Sequence, residues 1–486
     1  MDHRPDYPKL EMLIGDEWAG ASGRDTQPVV NPATGKSFAE VPLANASDMD
    51  RAVEWAVKGF STWRAMTAYA RARVMHDITA SIRAHEAMLS ATLTLEQGKP
   101  LRESLLEIRN AADTFEWMAE EGKRVYGRVV PARFKDTDQY VRYEPVGPVA
   151  AFSPWNFPAA LALRKVATAL AAGCSVVLKP AEETPGTMVA IARLCLRAGL
   201  PPGVLNVIYG VPADVSERLI GHPAIKKISF TGSVAVGRQL AAKASAHSKK
   251  ITLELGGHAP VIVTSGVDVS RVVDLAVAAK FRNAGQLCIC PTRFYVDESI
   301  FEPFVKAMAE KADRIEVGPG DDQRSSMGPL ANARRVQAME RFCDDAGSKG
   351  ARTVAGGRAE KGNGAGYFWR PTVVANASTD VAAMHEEPFG PIALINPYAN
   401  LRDAIARANS LDFGLAAYAF TDSLQAAHLL EGSLEAGNVS INSYVSTTPE
   451  MPFTGVKSSG MGVELGIEGV LEHMNIKSVV RAALPG

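Results

Sequence analysis

Hydrophobic and polar positions along the chain fall into two textures. Over roughly the first 120 residues the apolar side chains recur at helical spacing. Ser47-Asp48 reads as an N-cap ahead of the stripe Ala52, Val53, Ala56, Val57 and Phe60, and the same periodicity returns across residues 70–97 and 101–121. This part is predicted to be mostly helical. From Val125 the pattern changes: Arg128-Val129-Val130-Pro131 and residues 139–144 alternate apolar and polar side chains around a charged turn, as a solvent-facing hairpin would. Such a hairpin suits an assembly arm. Beyond it, β-type apolar runs at 149–152, 175–178, 204–208, 225–230 and 251–255 alternate with helical windows at 159–172, 186–198, 213–221 and 234–246. That alternation predicts a parallel, doubly wound sheet. A second strand–helix alternation from Val261 to about Asn442 predicts another α/β domain, so both domains could contribute to a cleft near residues 254–257.

With 486 residues the chain exceeds what one core usually supports, and two or three domains are expected. Its 52 basic and 53 acidic side chains nearly cancel, which removes any electrostatic reason to expect nucleic acid or an anionic membrane. Small molecules and copies of itself remain as partners. The five cysteines (Cys174, Cys195, Cys288, Cys290, Cys343) are sparse, odd in number and without zinc-ligand spacing. They argue for a reducing compartment and against a disulfide framework or a metal site. The N-terminal residues lack the apolar stretch of a signal peptide, and no apolar run reaches the ~18 residues of a membrane span; a cytoplasmic location is expected.

Candidate chemistry centres on residues 281–293, FRNAGQLCICPTR, where Cys288 follows a Gly-Gln-Leu turn, and on Leu253-Glu254-Leu255-Gly256-Gly257 upstream. A thiol that attacks a carbonyl and a carboxylate that activates water are the two groups needed to oxidise an aldehyde to an acid through a thioester. Taken singly, either is more often a packing cysteine or a strand-end acid. Together with Pro154-Trp155-Asn156-Phe157-Pro158 and Glu387-Pro388-Phe389-Gly390-Pro391 they are specific. The chain resembles the aldehyde dehydrogenase superfamily over nearly its whole length.

The resemblance implies an α/β fold with a Rossmann-type dinucleotide-binding domain (residues 1–124 and 148–256), a second α/β catalytic domain (257–455), and an oligomerisation arm with a C-terminal segment (125–147 and 456–486). It implies Cys288 as nucleophile, the Asn156 amide with the Cys288 N–H as oxyanion donors, and Glu254 as general base. Lys165 and Glu464 match a proton-passing pair, although Gly462-Val463-Glu464-Leu465-Gly466 departs from the commoner Gly-Arg-Glu-Leu-Gly. For the cofactor, Gly232-Ser233 and Gly237 follow a β run and open a helix whose N-terminus could face a pyrophosphate. In the family Lys179 and Glu182 lie by the adenosine ribose, Glu387 and Phe389 hold the nicotinamide end, and Trp155 joins this set. Glu182 favours NAD, with NADP as an alternative, because a carboxylate repels the 2′-phosphate.

Arg164 and Arg282 are expected near the substrate tunnel, with Thr447 in the late substrate loop. Two guanidinium forks suit a carboxylate. Succinate-semialdehyde dehydrogenases carry Arg at both matching positions, and the local motifs resemble still more closely bacterial 2-oxoglutarate semialdehyde dehydrogenases. The expected activity is therefore NAD(P)-dependent oxidation of a short semialdehyde acid, by a homodimer or homotetramer. A broad aliphatic or aromatic aldehyde dehydrogenase, or a non-catalytic structural protein on the same fold, are the alternatives. Cys290, two residues past the nucleophile, resembles the second thiol of a redox pair.

Overall fold

Two largely parallel sheets, each built by the strand–helix alternation of its own half of the sequence, frame the molecule in the computed structural model, which describes residues 7–360 and 364–483. The first runs in the order Glu17–Ala19, Met12–Ile14, Leu205–Val207, Val176–Lys179, Val149–Phe152, Lys227–Thr231, Lys250–Glu254, Gly460–Met461. Its five middle strands are parallel and the outer ones antiparallel. Val149–Phe152 and Val176–Lys179 are buried at every position, as strands covered by helices on both faces must be. The second sheet runs Arg352–Ala355, Thr372–Ala375, Ile392–Tyr398, Pro291–Asp297, Ala259–Val263, Ala416–Phe420, Asn438–Ile441. Each sheet has its own hydrophobic core.

The N-terminal part is less uniformly helical than its periodicity predicts. Four short strands, Met12–Ile14, Glu17–Ala19, Thr26–Asn31 and Lys36–Pro42, precede the helices. Three-residue strands carry too little periodicity to register, and Met12–Ile14 is held by pairing with Leu205–Val207. The first helix, Ala46–Ala65, is capped not by Ser47-Asp48 but by Asn45, whose side chain accepts from the Asp48 N–H. Asp48 returns a bond to the Asn45 N–H, completing a capping box. The 70–97 window is two helices, Ala68–Ala84 and Glu86–Gln97, divided at His85.

The hairpin of Arg128–Val130 and Thr137–Pro145 gains a third strand, Met474–Ala482, which pairs antiparallel along the whole of Thr137–Pro145. Val129, Ile476 and Val480 stand exposed on this sheet. No helix of the described residues is long and apolar enough to cross a membrane. For function, the consequential feature is that Phe152, Lys179, Thr231 and Glu254 all end parallel strands of the first sheet on the same edge. Ligands bind beyond the carboxyl ends of such strands.

Candidate active site

The nucleophile loop is positioned by a backbone contortion. Helix Val269–Phe281 ends, and Asn283, Ala284 and Gly285 follow with φ of 49°, 51° and 71°. Two non-glycine residues in left-handed conformation are costly and persist only where surroundings hold them. Here the Asn283 side chain donates to the Asn156 carbonyl at 3.0 Å and accepts from Gln97 at 2.9 Å. Gly285 approaches the Gly390 carbonyl so closely that a Cβ would stand 2.2 Å from its oxygen. The chain then delivers Cys288, partly exposed, to a cavity of ≈ 360 Å³.

Burial pushes the Cys288 thiol up to about 12, with Glu387 and Glu254 adding to the effect and Arg164 opposing it. The Asn156 Nδ2 donates to the Gln286 carbonyl at 3.0 Å, two residues before the cysteine. One amide hydrogen is used there, leaving the second for an oxyanion. Gly257 packs against the Cys288 carbonyl, where a Cβ would fall at 2.4 Å. The turn after Glu254 therefore lies against the nucleophile loop.

Glu254 is buried, and neither carboxylate oxygen has a hydrogen-bond partner among the described residues. Burial, then the Glu464 charge, raise its carboxyl well above the usual range. A raised carboxyl without a partner is what a general base for a weak acid such as water requires. Lys165 Nζ meets Glu464 Oε1 at 2.5 Å and Ser229 Oγ at 3.2 Å. Burial would raise Glu464, yet Lys165 and Arg164 together hold it below the usual carboxylate range. Two acids with opposite displacements stand beside one ammonium, an arrangement able to pass a proton. Ser229 carries no motif signal.

The cavity at Cys288 is also lined by Arg164, Arg282, Thr447, Phe157, Tyr444 and Phe453. Arg164 approaches Glu464 at 3.6 Å, Thr447 Oγ1 at 3.5 Å and the face of Phe453. Arg282 lies over the Phe157 ring at 5.4 Å and has no carboxylate within ion-pair distance among the described residues. The structure thus brings the two arginines, Thr447 and the thiol to one cavity. Cys290 is turned away, buried, with its sulfur 3.3 Å from Lys280 Nζ. A disulfide to Cys288 would first have to break that contact.

A dinucleotide fits the strand-end edge. Buried Ser153 Oγ and Thr231 Oγ1 have no protein partner there. Ser233 caps helix Val234–Ala246 by accepting from the Val236 N–H, leaving the amides of Val234 and Ala235 for a phosphate. Gly237 is where helix and strand touch, a Cβ meeting Leu255 at 2.4 Å. Lys179 and Glu182 are a buried ion pair at 2.5 Å, and the second Glu182 oxygen accepts from the Gly210 N–H at 3.0 Å. At the far end Glu387 accepts from the Gly257 N–H at 3.2 Å, and burial raises its carboxyl to about 8. Phe389, at φ 45°, stacks edge-on to Trp155 at 5.6 Å. Arg335 lies over the Phe389 ring and donates to the Pro388 carbonyl, a contact no sequence motif signalled. Glu386 is exposed and paired with Arg341. Among the described residues no cluster of three His, Cys, Asp or Glu could hold a metal.

The model of the "Aldehyde dehydrogenase family" matches residues 18–479. The chain belongs to the aldehyde dehydrogenase family. It is 47% identical over 467 residues to the 4-(hydroxymethyl)benzenesulfonate dehydrogenase of Comamonas testosteroni, covering 96% of this chain and 97% of the relative. To the NADP(+) succinate-semialdehyde dehydrogenase of Escherichia coli it is 40% identical over 470 residues, with 96% and 97% coverage. The succinate-semialdehyde dehydrogenase structure from Burkholderia pseudomallei superimposes with a TM-score of 0.96 at 40% identity, over 99% of this chain and 100% of that one. This aldehyde dehydrogenase is an enzyme of NAD(P)-dependent aldehyde oxidation, as the resemblance led us to expect. The motifs did not reveal Lys99 or Glu107, an ion pair whose Glu107 is among the residues lining the Cys288 cavity. Glu107 did leave a trace: it falls on the buried stripe of helix Leu101–Glu121 with Ser104, Ile108, Ala111 and Phe115, where periodicity calls for an apolar side chain.

Proposed function

We propose that this aldehyde dehydrogenase oxidises an aldehyde bearing a distal anion, a short semialdehyde acid such as succinate or 2-oxoglutarate semialdehyde. The observation that supports the reading most directly is that two guanidinium groups, one of them without an ion-pair contact among the described residues, line the cavity of the Cys288 thiol. In the proposed reaction the Cys288 thiol releases its proton to solvent and adds as the thiolate to the aldehyde carbon, and the hemithioacetal oxyanion is held by Asn156 and the Cys288 N–H. NAD(P), when bound, takes up the hydride. Glu254 then removes a proton from the water that hydrolyses the thioester, and Lys165 and Glu464 carry that proton onward.

Because the arginines would hold a part of the substrate that does not react, their loss should weaken positioning more than chemistry. Arg164→Ala or Arg282→Ala is expected to lower kcat/KM for succinate semialdehyde by about 1.5–3 kcal/mol, the usual worth of hydrogen bonds to charged groups. Butanal should lose far less. Arg164 also faces Glu464, so the ratio between the two substrates is the informative quantity. Equal losses on both would sink the carboxylate assignment. The 47% relative named for a benzenesulfonate compound, together with Phe157, Tyr444 and Phe453 in the lining, favours a second reading: an aromatic aldehyde carrying a sulfonate. 4-Formylbenzenesulfonate outperforming succinate semialdehyde in kcat/KM would select it.

Glu182, which accepts from the Gly210 N–H, would repel a 2′-phosphate on a ribose bound beside it, and this supports NAD preference. Glu182→Ser should shift the NADP-to-NAD ratio of kcat/KM upward by about tenfold or more, since it removes a like charge and frees Lys179 to meet the phosphate. A parent enzyme that already favours NADP would contradict this. The exposed apolar side chains of the arm sheet support assembly with further copies into a dimer or tetramer, and the five free cysteines support a reducing, cytoplasmic setting.

A further inference from the structure

Lys99 and Glu107 form an ion pair with neither side chain exposed to solvent, at 2.6 Å, between the turn at Gly98 and the helix Leu101–Glu121. Neither side chain has a part in the reaction set out above. Burying two charges is an unfavourable way to fill space, and apolar side chains of the same volume often serve stability as well or better. The bonds this pair makes are all to the backbone of the segment 156–160. Lys99 Nζ donates to the Asn156 carbonyl at 2.8 Å and sits 3.8 Å from the centre of the Phe157 ring. The oxygen of Glu107 not used by Lys99 accepts from the N–H groups of Ala159 and Ala160, at 2.9 and 3.2 Å. Those amides open helix Ala160–Ala172, whose own cap residue, Ala159, has no side-chain oxygen to offer. The Glu107 carboxylate therefore caps from outside the helix that carries Arg164 and Lys165.

The Asn156 carbonyl is gripped from the opposite side by Asn283 Nδ2 at 3.0 Å, and Asn283 also donates to the Gln286 carbonyl at 3.3 Å. Gln97 fixes Asn283, and its Oε1 accepts from the Lys99 N–H at 3.0 Å. A closed polar network thus ties the peptide plane of Asn156 to the loop that presents Cys288. Rotation of that plane would pull the Asn156 side chain from the Gln286 carbonyl, two residues before Cys288.

We infer that Lys99 and Glu107 are positioning residues: their ion pair holds the Asn156 amide in register with Cys288 and anchors the start of the helix bearing Arg164 and Lys165. The inference rests on Asn156 being the oxyanion donor of the proposed reaction. It does not depend on which aldehyde is the substrate.

The decisive variant replaces the whole pair, Lys99→Met with Glu107→Leu, because either single change leaves a buried charge alone and could unfold the protein. Each protein is assayed on whichever aldehyde the parent turns over fastest, with thermal midpoint, dinucleotide dissociation constant and the burst of reduced nicotinamide measured alongside. The double variant is expected to keep a midpoint near the parent's and an unchanged dinucleotide constant, while kcat and the burst rate fall by about 10- to 100-fold, the scale of an ångström-sized misplacement. Asn156→Ala should fall further, on the order of 10²- to 10³-fold. A double variant that folds and turns over like the parent would overturn the positioning role even with Asn156→Ala impaired. Parental turnover in Asn156→Ala would overturn it by leaving nothing to position, and would refute the oxyanion assignment itself. Equal loss of midpoint, dinucleotide binding and rate in the double variant would also overturn it, showing the pair to be structural.

Discussion

Cys288→Ala is expected to abolish aldehyde oxidation, with kcat falling on the order of 10⁴-fold or more, while dinucleotide binding stays near that of the parent. The reason is geometric. The thiol lines the cavity between Arg164 and Arg282, whereas Lys179, Glu182 and Ser233, the residues proposed for the adenosine end of the dinucleotide, do not line that cavity. Steady-state rates give the first quantity and fluorescence titration with NAD the second. The same thiol has a pH signature. Burial holds it at about 12 in the free enzyme, so alkylation by iodoacetamide should accelerate by about tenfold per pH unit between about pH 7 and 9, without a plateau. A plateau near neutrality would mean that some group stabilises the thiolate. Normal turnover in Cys288→Ala would end the assignment altogether.

Glu254→Gln should behave differently, since the proposed reaction uses Glu254 only to activate water in the second half-reaction. A burst of reduced nicotinamide close to one per active site is expected, followed by steady-state turnover slowed by about 10²–10⁴-fold, the usual contribution of a positioned base. Rapid mixing monitored by nicotinamide absorbance separates the phases, and an absent burst would place Glu254 in the first half-reaction. The substitution also has a predictable effect on stability. The folded carboxyl is raised well above the unfolded one by burial and by Glu464. Below the unfolded value both states hold the proton and folding is indifferent to pH. Above it the unfolded chain ionises first, so stability is lost as pH rises through the folded value. Glu254→Gln removes that loss, and its thermal midpoint should exceed the parent's at pH 8 by more than at pH 5.

Much of the site was legible before any coordinates because its residues belong to short motifs at strand ends. Glu254 ends a run read at 251–255 and observed at Lys250–Glu254; Ser233 caps a helix read and observed at 234–246. Such features are local: a capping hydroxyl or a β run ending in Gly-Gly acts within a few residues, and periodicity reports it. The Asn45 cap shows the limit of that reasoning even locally. A Ser-Asp pair resembled a cap, but the carboxylate of Asp48 completes the box from inside the helix.

What the sequence determined by itself was the alternation that makes two doubly wound sheets and the chemical kinds of group available: a thiol, a carboxylate, an amide and two guanidiniums. Tertiary structure alone decided how those groups act on one another. Met474–Ala482 completes the hairpin sheet far from its partner in sequence, and Gly460–Met461 pairs with the strand ending in Glu254, bringing Glu464 near enough to raise the Glu254 carboxyl. Lys99 reaches Asn156 across 57 positions of chain, and Arg164 reaches Thr447 across 283. Strand pairing and burial of charge depend on what lies opposite in space, and a linear pattern of apolar and polar residues does not encode that neighbour. The displaced carboxyls and the raised thiol arise from it, because desolvation is a property of the surroundings and not of the residue.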